Sequence, residues 1–263
     1  MSNFSDFIGG GGSASFPTFF LHKSATWVPP QDGNIMIHVI GAGGSGTGNT
    51  SESSVEGGAA GGYCRKNSLA VTTSGSFTVT IGAGGASRIG SAGAGTAGGT
   101  TSVAGTGLGS TLTATGGAGG ALATNTYTTG GVGSNGDVNT NGGRGGYRKG
   151  GGAVGLTGTG NDGRAGSNAI RTIGGNCDIL GDFYSSSFGQ ISGGAGGTLY
   201  PGNGNIIEAG ELAGGGGSYS TTYPLVAGHA SIGGGGGWSD YATASDIISG
   251  RGGEGCVVIQ YIP

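Results

Sequence analysis

Glycine blocks with a three-residue period constrain this chain more than any other feature. Glycine supplies 71 of the 263 residues, and blocks such as 116–121 and 193–198 repeat the pattern Gly-Gly-X. This period fits neither an α-helix nor a β-strand, but it matches the polyproline II helix, which has three residues per turn. Such a helix has no internal hydrogen bonds, so several must lie side by side to satisfy their backbone groups. The blocks predict a bundle of polyglycine II helices, with a flexible glycine linker as the alternative.

Close lateral packing in such a bundle leaves no room for side chains at inward-facing glycines. We therefore expect valine at Gly194 or Gly235 to give insoluble protein. Collagen is excluded because the repeat breaks often and the chain has only six prolines.

Apolar runs on either side of the glycine blocks predict β-strands. They lie near 35–40, 64–71, 77–81, 110–115 and 256–261, with a turn at 73–75. The last strand needs a partner, and the N-terminal strands are the obvious ones. The predicted fold is mainly β: a small antiparallel β-sandwich with an inserted polyglycine II bundle. Its predicted parts are an attachment peptide and glycine tether (1–13), a β-domain (14–115, completed by 256–263) and the bundle with exposed loops (116–255).

Composition narrows the class of protein. The net charge of −3 offers no basic surface for nucleic acid. No run approaches the roughly 18 apolar residues of a membrane-spanning helix, and the first residues lack the basic region of a secretion signal. The three cysteines, Cys64, Cys177 and Cys256, are far apart and predict buried thiols in a protein made in a reducing cytoplasm.

Two motifs suggest ligands, and neither is complete. Residues 41–46 spell Gly-x-Gly-x-x-Gly after a strand, but no helical pattern follows to hold a pyrophosphate. Residues 137–142 resemble the start of an EF-hand loop, but its twelfth position is Arg148 instead of glutamate. We expect a polar turn there, no cofactor, no metal and no catalysis. His38, inside an apolar strand, is expected to be a core or interface residue.

Five segments, taken in order, resemble the glycine-rich domain of bacteriophage tail fibres. They are 26–44, 61–66, 77–85, 112–117 and 253–261, and the resemblance covers roughly 25–263. It implies a β-sandwich that supports a polyglycine II bundle whose distal loops recognise the host surface. It also implies a virion protein synthesised in the host cytoplasm, and we expect a homotrimer. The tryptophan-rich fibre-attachment region of similar adhesins is missing from this N-terminus.

The expected function is non-catalytic recognition of a host surface polysaccharide or outer-membrane protein. A structural virion fibre or decoration protein without a receptor role is the alternative. A depolymerase is a third possibility, for which the sequence offers no paired carboxylates.

The candidate contact residues are aromatic side chains and one histidine in the glycine-poor segments. Such side chains offer a large contact area at low entropic cost, although capping of the bundle ends is the alternative role. The receptor-binding candidates are Phe183, Tyr184, Tyr219, Tyr223, His229, Trp238 and Tyr241. Phe4, Phe7 and Ile8 are the candidates for attachment to other virion tail proteins, with a disordered tail as the alternative.

Overall fold

The computed structural model describes most of the chain outside its first 15 residues and the region 174–213. The described residues are 16–49, 55–90, 92–122, 126–147, 151–155, 158–160, 162–165, 172–173, 214–215, 218–220, 225–227, 230, 232–241 and 247–263. They form strands and no helix, which confirms the mainly β prediction. Accordingly, this part of the chain contains no helix of the length and apolar character needed to cross a membrane.

Sheet I is antiparallel and joins the two ends of the described chain. In spatial order its strands are β1 (Thr18–Leu21), β17 (Cys256–Ile262), β3 (Gly33–Ile40), β5 (Tyr63–Val71) and β10 (Val138–Thr140). Ile259 of β17 pairs with Phe19 on one side and with Ile37 on the other. The prediction that the last strand pairs with N-terminal strands is confirmed.

Sheet II is also antiparallel. In spatial order its strands are β2 (Ala25–Trp27), β6 (Phe77–Thr80), β7 (Thr101–Gly105), β8 (Leu112–Ala114) and β9 (Gly133–Ser134). The predicted turn between β5 and β6 is present, since the Gly75 N–H donates to Thr72 O at 2.8 Å. It carries the chain from sheet I to sheet II.

One hydrophobic core cluster contains residues from both sheets. Alternate residues of β3, namely Ile35, Ile37 and Val39, are buried together with Phe77 and Trp27 of sheet II. The Trp27 and Phe77 rings have centroids 5.6 Å apart. Full burial of one such side chain contributes about 1.5–3 kcal/mol, so this core anchors the rest of the molecule.

The remaining strands are short. β11 (Arg164–Ala165) pairs antiparallel with β12 (Thr172–Ile173). Three strands pair in parallel, in the order β13 (Ser218–Ser220), β15 (Ser239–Tyr241) and β4 (Gly48–Asn49). β14 (Leu225–Val226) pairs in parallel with β16 (Ile247–Ile248).

The glycine segments bond laterally, with a three-residue period. In segment 41–48, donors three residues apart reach the same neighbouring segment, at N···O distances of 2.8–3.2 Å. The donor–acceptor pairs are Gly41–Gly62, Gly44–Ala59 and Thr47–Glu56 for one neighbour, Ala42–Gly99, Ser45–Thr96 and Gly48–Gly93 for a second, and Gly43–Gly253 and Gly46–Gly250 for a third. Acceptor numbers fall as donor numbers rise, so these three neighbours run antiparallel to the segment. The backbone groups are thus satisfied between segments rather than within them.

Close approach of backbones explains why glycine occupies these positions. A Cβ atom at Gly43 would lie 1.8 Å from Gly234 O, and one at Gly235 would lie 2.0 Å from Gly58 O. Neither distance is compatible with a carbon–oxygen contact, so no other residue fits without displacing a neighbouring backbone.

The glycine segments are distributed differently from the sequence prediction. Segments 41–48 and 56–62 lie between β3 and β5, and segments 82–85 and 93–99 lie between β6 and β7. Beyond residue 115, β9 and β10 return to sheets II and I. The division at residue 115, with a single insertion before the last strand, is therefore corrected: glycine segments extend from several successive strands. The apolar runs of 14–115 concealed this because the glycine segments between them are short.

Two of the three cysteines lie in the described part of the chain, and both are buried free thiols, as predicted. Burial raises the pKa of Cys64 to about 11 and that of Cys256 to about 11. Because the thiolate is the reactive form, we expect neither to be alkylated by iodoacetamide in native protein at pH 8, and both to be alkylated in urea. Peptide mass spectrometry would measure each site separately. Equal labelling in native and unfolded protein would contradict their burial.

Candidate functional site

The glycine segments extend from the sheets toward a common end. Gly41 follows β3 and bonds to Gly62, which precedes β5. At the other end of the same two segments, Thr47 N–H donates to Glu56 O at 2.9 Å, and Gly48 bonds to Gly93. We call this end, where segments turn back toward the sheets, the distal end.

Ile89 is held on a tightly bonded distal turn. Arg88 N–H donates to Ser249 Oγ at 2.9 Å, and Arg88 Nε donates to Ala94 O at 2.6 Å. Gly90, with φ of 66°, then reverses the chain in a conformation that favours glycine. Ile89 is nevertheless 71% exposed. The turn thus fixes a large apolar side chain in solvent.

Tyr127 is fixed by a charged neighbour. The guanidinium carbon of Arg144 lies 4.5 Å from the Tyr127 ring centroid, a cation–π distance. Asp162 holds the guanidinium through Arg144 Nη2 at 2.8 Å and also accepts the Arg144 N–H at 2.7 Å. This hydrogen bonding to Asp162 raises the pKa of Arg144. The ring remains 47% exposed, so it is positioned yet accessible.

Leu122 is a third large side chain at this end. It follows segment 117–120, in which Gly120 N–H donates to Ser45 O at 2.9 Å, and it is exposed. Its neighbour is segment 93–99, which follows Ile89 along the chain: the Gly95 N–H donates to Gly120 O at 2.7 Å. We call Ile89, Leu122, Tyr127 and Arg144 together the distal surface.

Three of the predicted contact residues are described. Tyr219 and Tyr241 occupy neighbouring strands, β13 and β15, and β15 pairs with β4 at the distal end. Trp238 is only 4% exposed and lies where its segment passes Gly46, so its side chain packs among the glycine segments. Its receptor contact stays a prediction.

The other predicted contact and attachment residues lie outside the described part of the chain. They are Phe183, Tyr184, Tyr223, His229, Phe4, Phe7 and Ile8.

The contact candidates chosen from sequence did not include Ile89, Leu122, Tyr127 or Arg144. The sequence interpretation looked for aromatic residues in the long glycine-poor segments, whereas these residues lie in short turns or within glycine blocks. A usable signal was present, because Ile89, next to Arg88, is the single large apolar residue of segment 82–99, whose other residues apart from Arg88 are small.

The two incomplete motifs have structural roles. In the Gly-x-Gly-x-x-Gly stretch, a Cβ at Gly41 would lie 2.2 Å from Thr115 O, and β4 follows in place of a helix. In the stretch that resembles an EF-hand, Asp137 accepts Lys66 Nζ at 2.8 Å and Asn67 N–H at 2.7 Å. The hydrogen bond from Lys66 lowers the pKa of Asp137. The expected polar turn is wrong for most of this stretch, because residues 138–140 form β10, and the chain bends just before it, at 135–137.

Metal-ligand types do not cluster in the part of the chain that the structure describes. No group of three or more His, Cys, Asp or Glu side chains there is arranged to hold an ion.

Comparison with known proteins identifies a family. A family model described as a glycine-rich domain matches residues 20–262, nearly the whole chain. A search of curated proteins found no match. The matched range includes both sheets, apart from the first two residues of β1, and all the described glycine segments. The chain therefore belongs to the glycine-rich domain family.

Proposed function

We propose that this protein is a non-catalytic receptor-binding protein at the tip of a virion tail fibre. The observation that carries the proposal is the distal surface: large side chains held in solvent by hydrogen-bonded turns. Exposed, pre-positioned aromatic and apolar groups are typical of binding surfaces. The ordered resemblance to phage tail-fibre domains supplies the virion context.

The glycine segments would supply the rigidity that such a tip needs. We take them to be polyglycine II helices, supported by the three-residue period of their lateral hydrogen bonds and by the backbone contacts at Gly43 and Gly235. The two sheets would form a β-sandwich that anchors the bundle. Loops on a stiff scaffold lose little conformational entropy on binding, which favours affinity.

The proposed partner is a host surface polysaccharide or an outer-membrane protein. The exposed face of Tyr127 suits a sugar ring, and Ile89 suits an apolar patch on a protein loop. Phe4, Phe7 and Ile8 are proposed to attach the chain to other virion tail proteins, and the assembly is proposed to be a homotrimer.

Substitutions at the distal surface test the proposal. We expect Tyr127→Ala and Ile89→Ala each to weaken binding to host cells about ten-fold, the cost of truncating a central contact. Neither should lower the melting temperature by more than a few degrees, because both side chains are already exposed. Flow cytometry with labelled protein measures the binding.

Val28→Ala is the matched control, because Val28 is 52% exposed but follows β2 in sheet II. It should bind host cells like the unmodified protein. If no variant changes binding, or if excess protein fails to block infection, the structural fibre or decoration role replaces the receptor role. Release of oligosaccharide from host polysaccharide would exclude a purely binding role.

A further inference from the structure

Glu56 is a fully buried acidic residue at the distal end of the bundle. Its relative exposure is 0%, although acidic side chains are seldom buried without compensation. Its backbone bonds to Thr47, whereas its carboxylate bonds to Ala121 and Thr126.

The backbone of Glu56 closes one loop. Glu56 N–H donates to Thr47 Oγ1 at 2.9 Å, while Glu56 O accepts the Thr47 N–H at 2.9 Å and the Thr47 hydroxyl at 3.1 Å. Three hydrogen bonds thus hold Thr47 and Glu56 together at the distal end.

The carboxylate of Glu56 closes a second loop. Oε2 accepts the Ala121 N–H at 3.1 Å, and Oε1 accepts the hydroxyl of Thr126. Leu122 follows the first donor, Ala121, directly along the chain, and Tyr127 follows the second, Thr126. These two hydrogen bonds offset part of the cost of burying the side chain.

We propose that Glu56 is the positioning residue of the distal surface, fixing Ala121 and Thr126, and with them Leu122 and Tyr127, relative to Thr47. The inference rests on the proposed function, because positioning of these side chains matters only if they bind a receptor. The hydrogen bonds of Glu56 themselves do not depend on any receptor. Glu56 does not itself contact the ligand. It lowers the number of arrangements available to Leu122 and Tyr127 before binding, which reduces the entropic cost of recognition.

Hydrogen exchange at the Ala121 amide tests the proposal without a receptor. In Glu56→Ala we expect this amide to exchange at least about ten-fold faster, because it loses its acceptor and the loop opens locally. Glu56→Gln keeps one carbonyl acceptor and should fall between Glu56→Ala and the unmodified protein. The measurement is amide exchange followed by NMR or by peptide mass spectrometry.

Thr128→Val is the matched control. It removes a buried hydroxyl that donates to Gly57 O at 3.2 Å, one residue from Glu56, but leaves both contacts of the carboxylate in place. Ala121 exchange should be unchanged in this variant. If Glu56→Ala does not fold, Thr126→Val serves instead, since it removes one exposed donor while the carboxylate keeps Ala121; we then expect faster exchange in peptides that contain Leu122.

Binding measurements test the positioning role of Glu56 separately from the proposed receptor-binding function. Glu56→Ala should weaken host-cell binding, and combining it with Tyr127→Ala should cost less than the sum of the two single changes, because both act through one loop. Unchanged loop exchange in Glu56→Ala, or in Thr126→Val where that variant is used, overturns the role of Glu56 whatever the receptor. Faster exchange together with full additivity in binding overturns its positioning role. Normal binding by Tyr127→Ala and Ile89→Ala overturns the proposed function instead.

Discussion

Replacing Gly235 by valine is expected to yield insoluble protein, and Gly235→Ala is expected to destabilise the fold by at least about 3 kcal/mol, the upper end of the usual cost of overpacking. The new Cβ would lie 2.0 Å from Gly58 O and 2.5 Å from Gly58 C. Both are backbone atoms, and the Gly58 N–H is itself bonded to Gly236 O at 2.8 Å, so neither segment can withdraw alone. Soluble yield and the urea midpoint measure the effect.

Gly109→Ala is the matched control for this substitution. Gly109 is exposed in the connection between β7 and β8, and a Cβ there would meet no atom within 4 Å. Its free energy of unfolding, measured in urea, should stay within about 0.5 kcal/mol of that of the unmodified protein, as for an ordinary surface change. If Gly235→Ala were as stable as Gly109→Ala, tight lateral packing of the segments would be wrong. Gly194, the other glycine chosen from sequence, lies outside the described residues.

The folded protein is expected to lose stability steeply in acid because of His38. This side chain is fully buried, as predicted for a core residue, and its Nδ1 shares a hydrogen bond with Tyr63 Oη at 2.7 Å. Burial, helped by the nearby positive charge of Arg65, lowers the pKa of His38 from 6.5 to about 3. The unfolded chain therefore takes up a proton near pH 6.5, whereas the folded chain does so only near pH 3.

The sign of the pH effect follows from this difference. The contribution of neutral His38 is complete above pH 6.5 and is lost as the pH falls toward 3, at about 1.4 kcal/mol per pH unit. Between pH 6.5 and 4.5 the free energy of unfolding should thus fall by about 2 kcal/mol from this group alone. Urea unfolding at a series of pH values measures it.

His38→Gln isolates this contribution from that of the carboxylates. The variant should be less stable at pH 7 but should lose less stability between pH 6.5 and 4.5, because glutamine does not titrate. Tyr63→Phe should keep the pH slope, since burial rather than the tyrosine hydroxyl is the main cause of the lowered pKa. Equal slopes in the unmodified protein and His38→Gln would refute the assignment.

The two predictions concern one structural arrangement. Gly235 lies between glycine segments, while His38 lies on β3 just before segment 41–48 begins. In register with it are Val258 of β17 and Arg65 of β5. A side chain at Gly235 would separate glycine segments that hydrogen bonds hold together. A charge on His38 would disrupt the packing of β3 against its neighbouring strands.

The sequence by itself determined the strands and the need for lateral glycine packing. Apolar runs such as 35–40 and 256–261 form strands because their side chains must be buried, and that requirement is local. The three-residue glycine period likewise predicts hydrogen bonding between segments, because the polyproline II helix that it matches offers no partners within itself. The buried state of His38 and of two cysteines follows from the same local patterns.

Only the tertiary structure decided which segments neighbour one another and which side chains face solvent. Glycine blocks are nearly identical in composition, so nothing in the sequence near Gly235 identifies Gly58 as its neighbour. The sequence therefore did not indicate that Trp238 is buried by packing. Nor did it indicate that Ile89 is exposed on a hydrogen-bonded turn. Glu56 shows this most clearly: its partners Ala121 and Thr126 lie 65 and 70 residues away, and only the lateral order of the glycine segments brings them to its carboxylate.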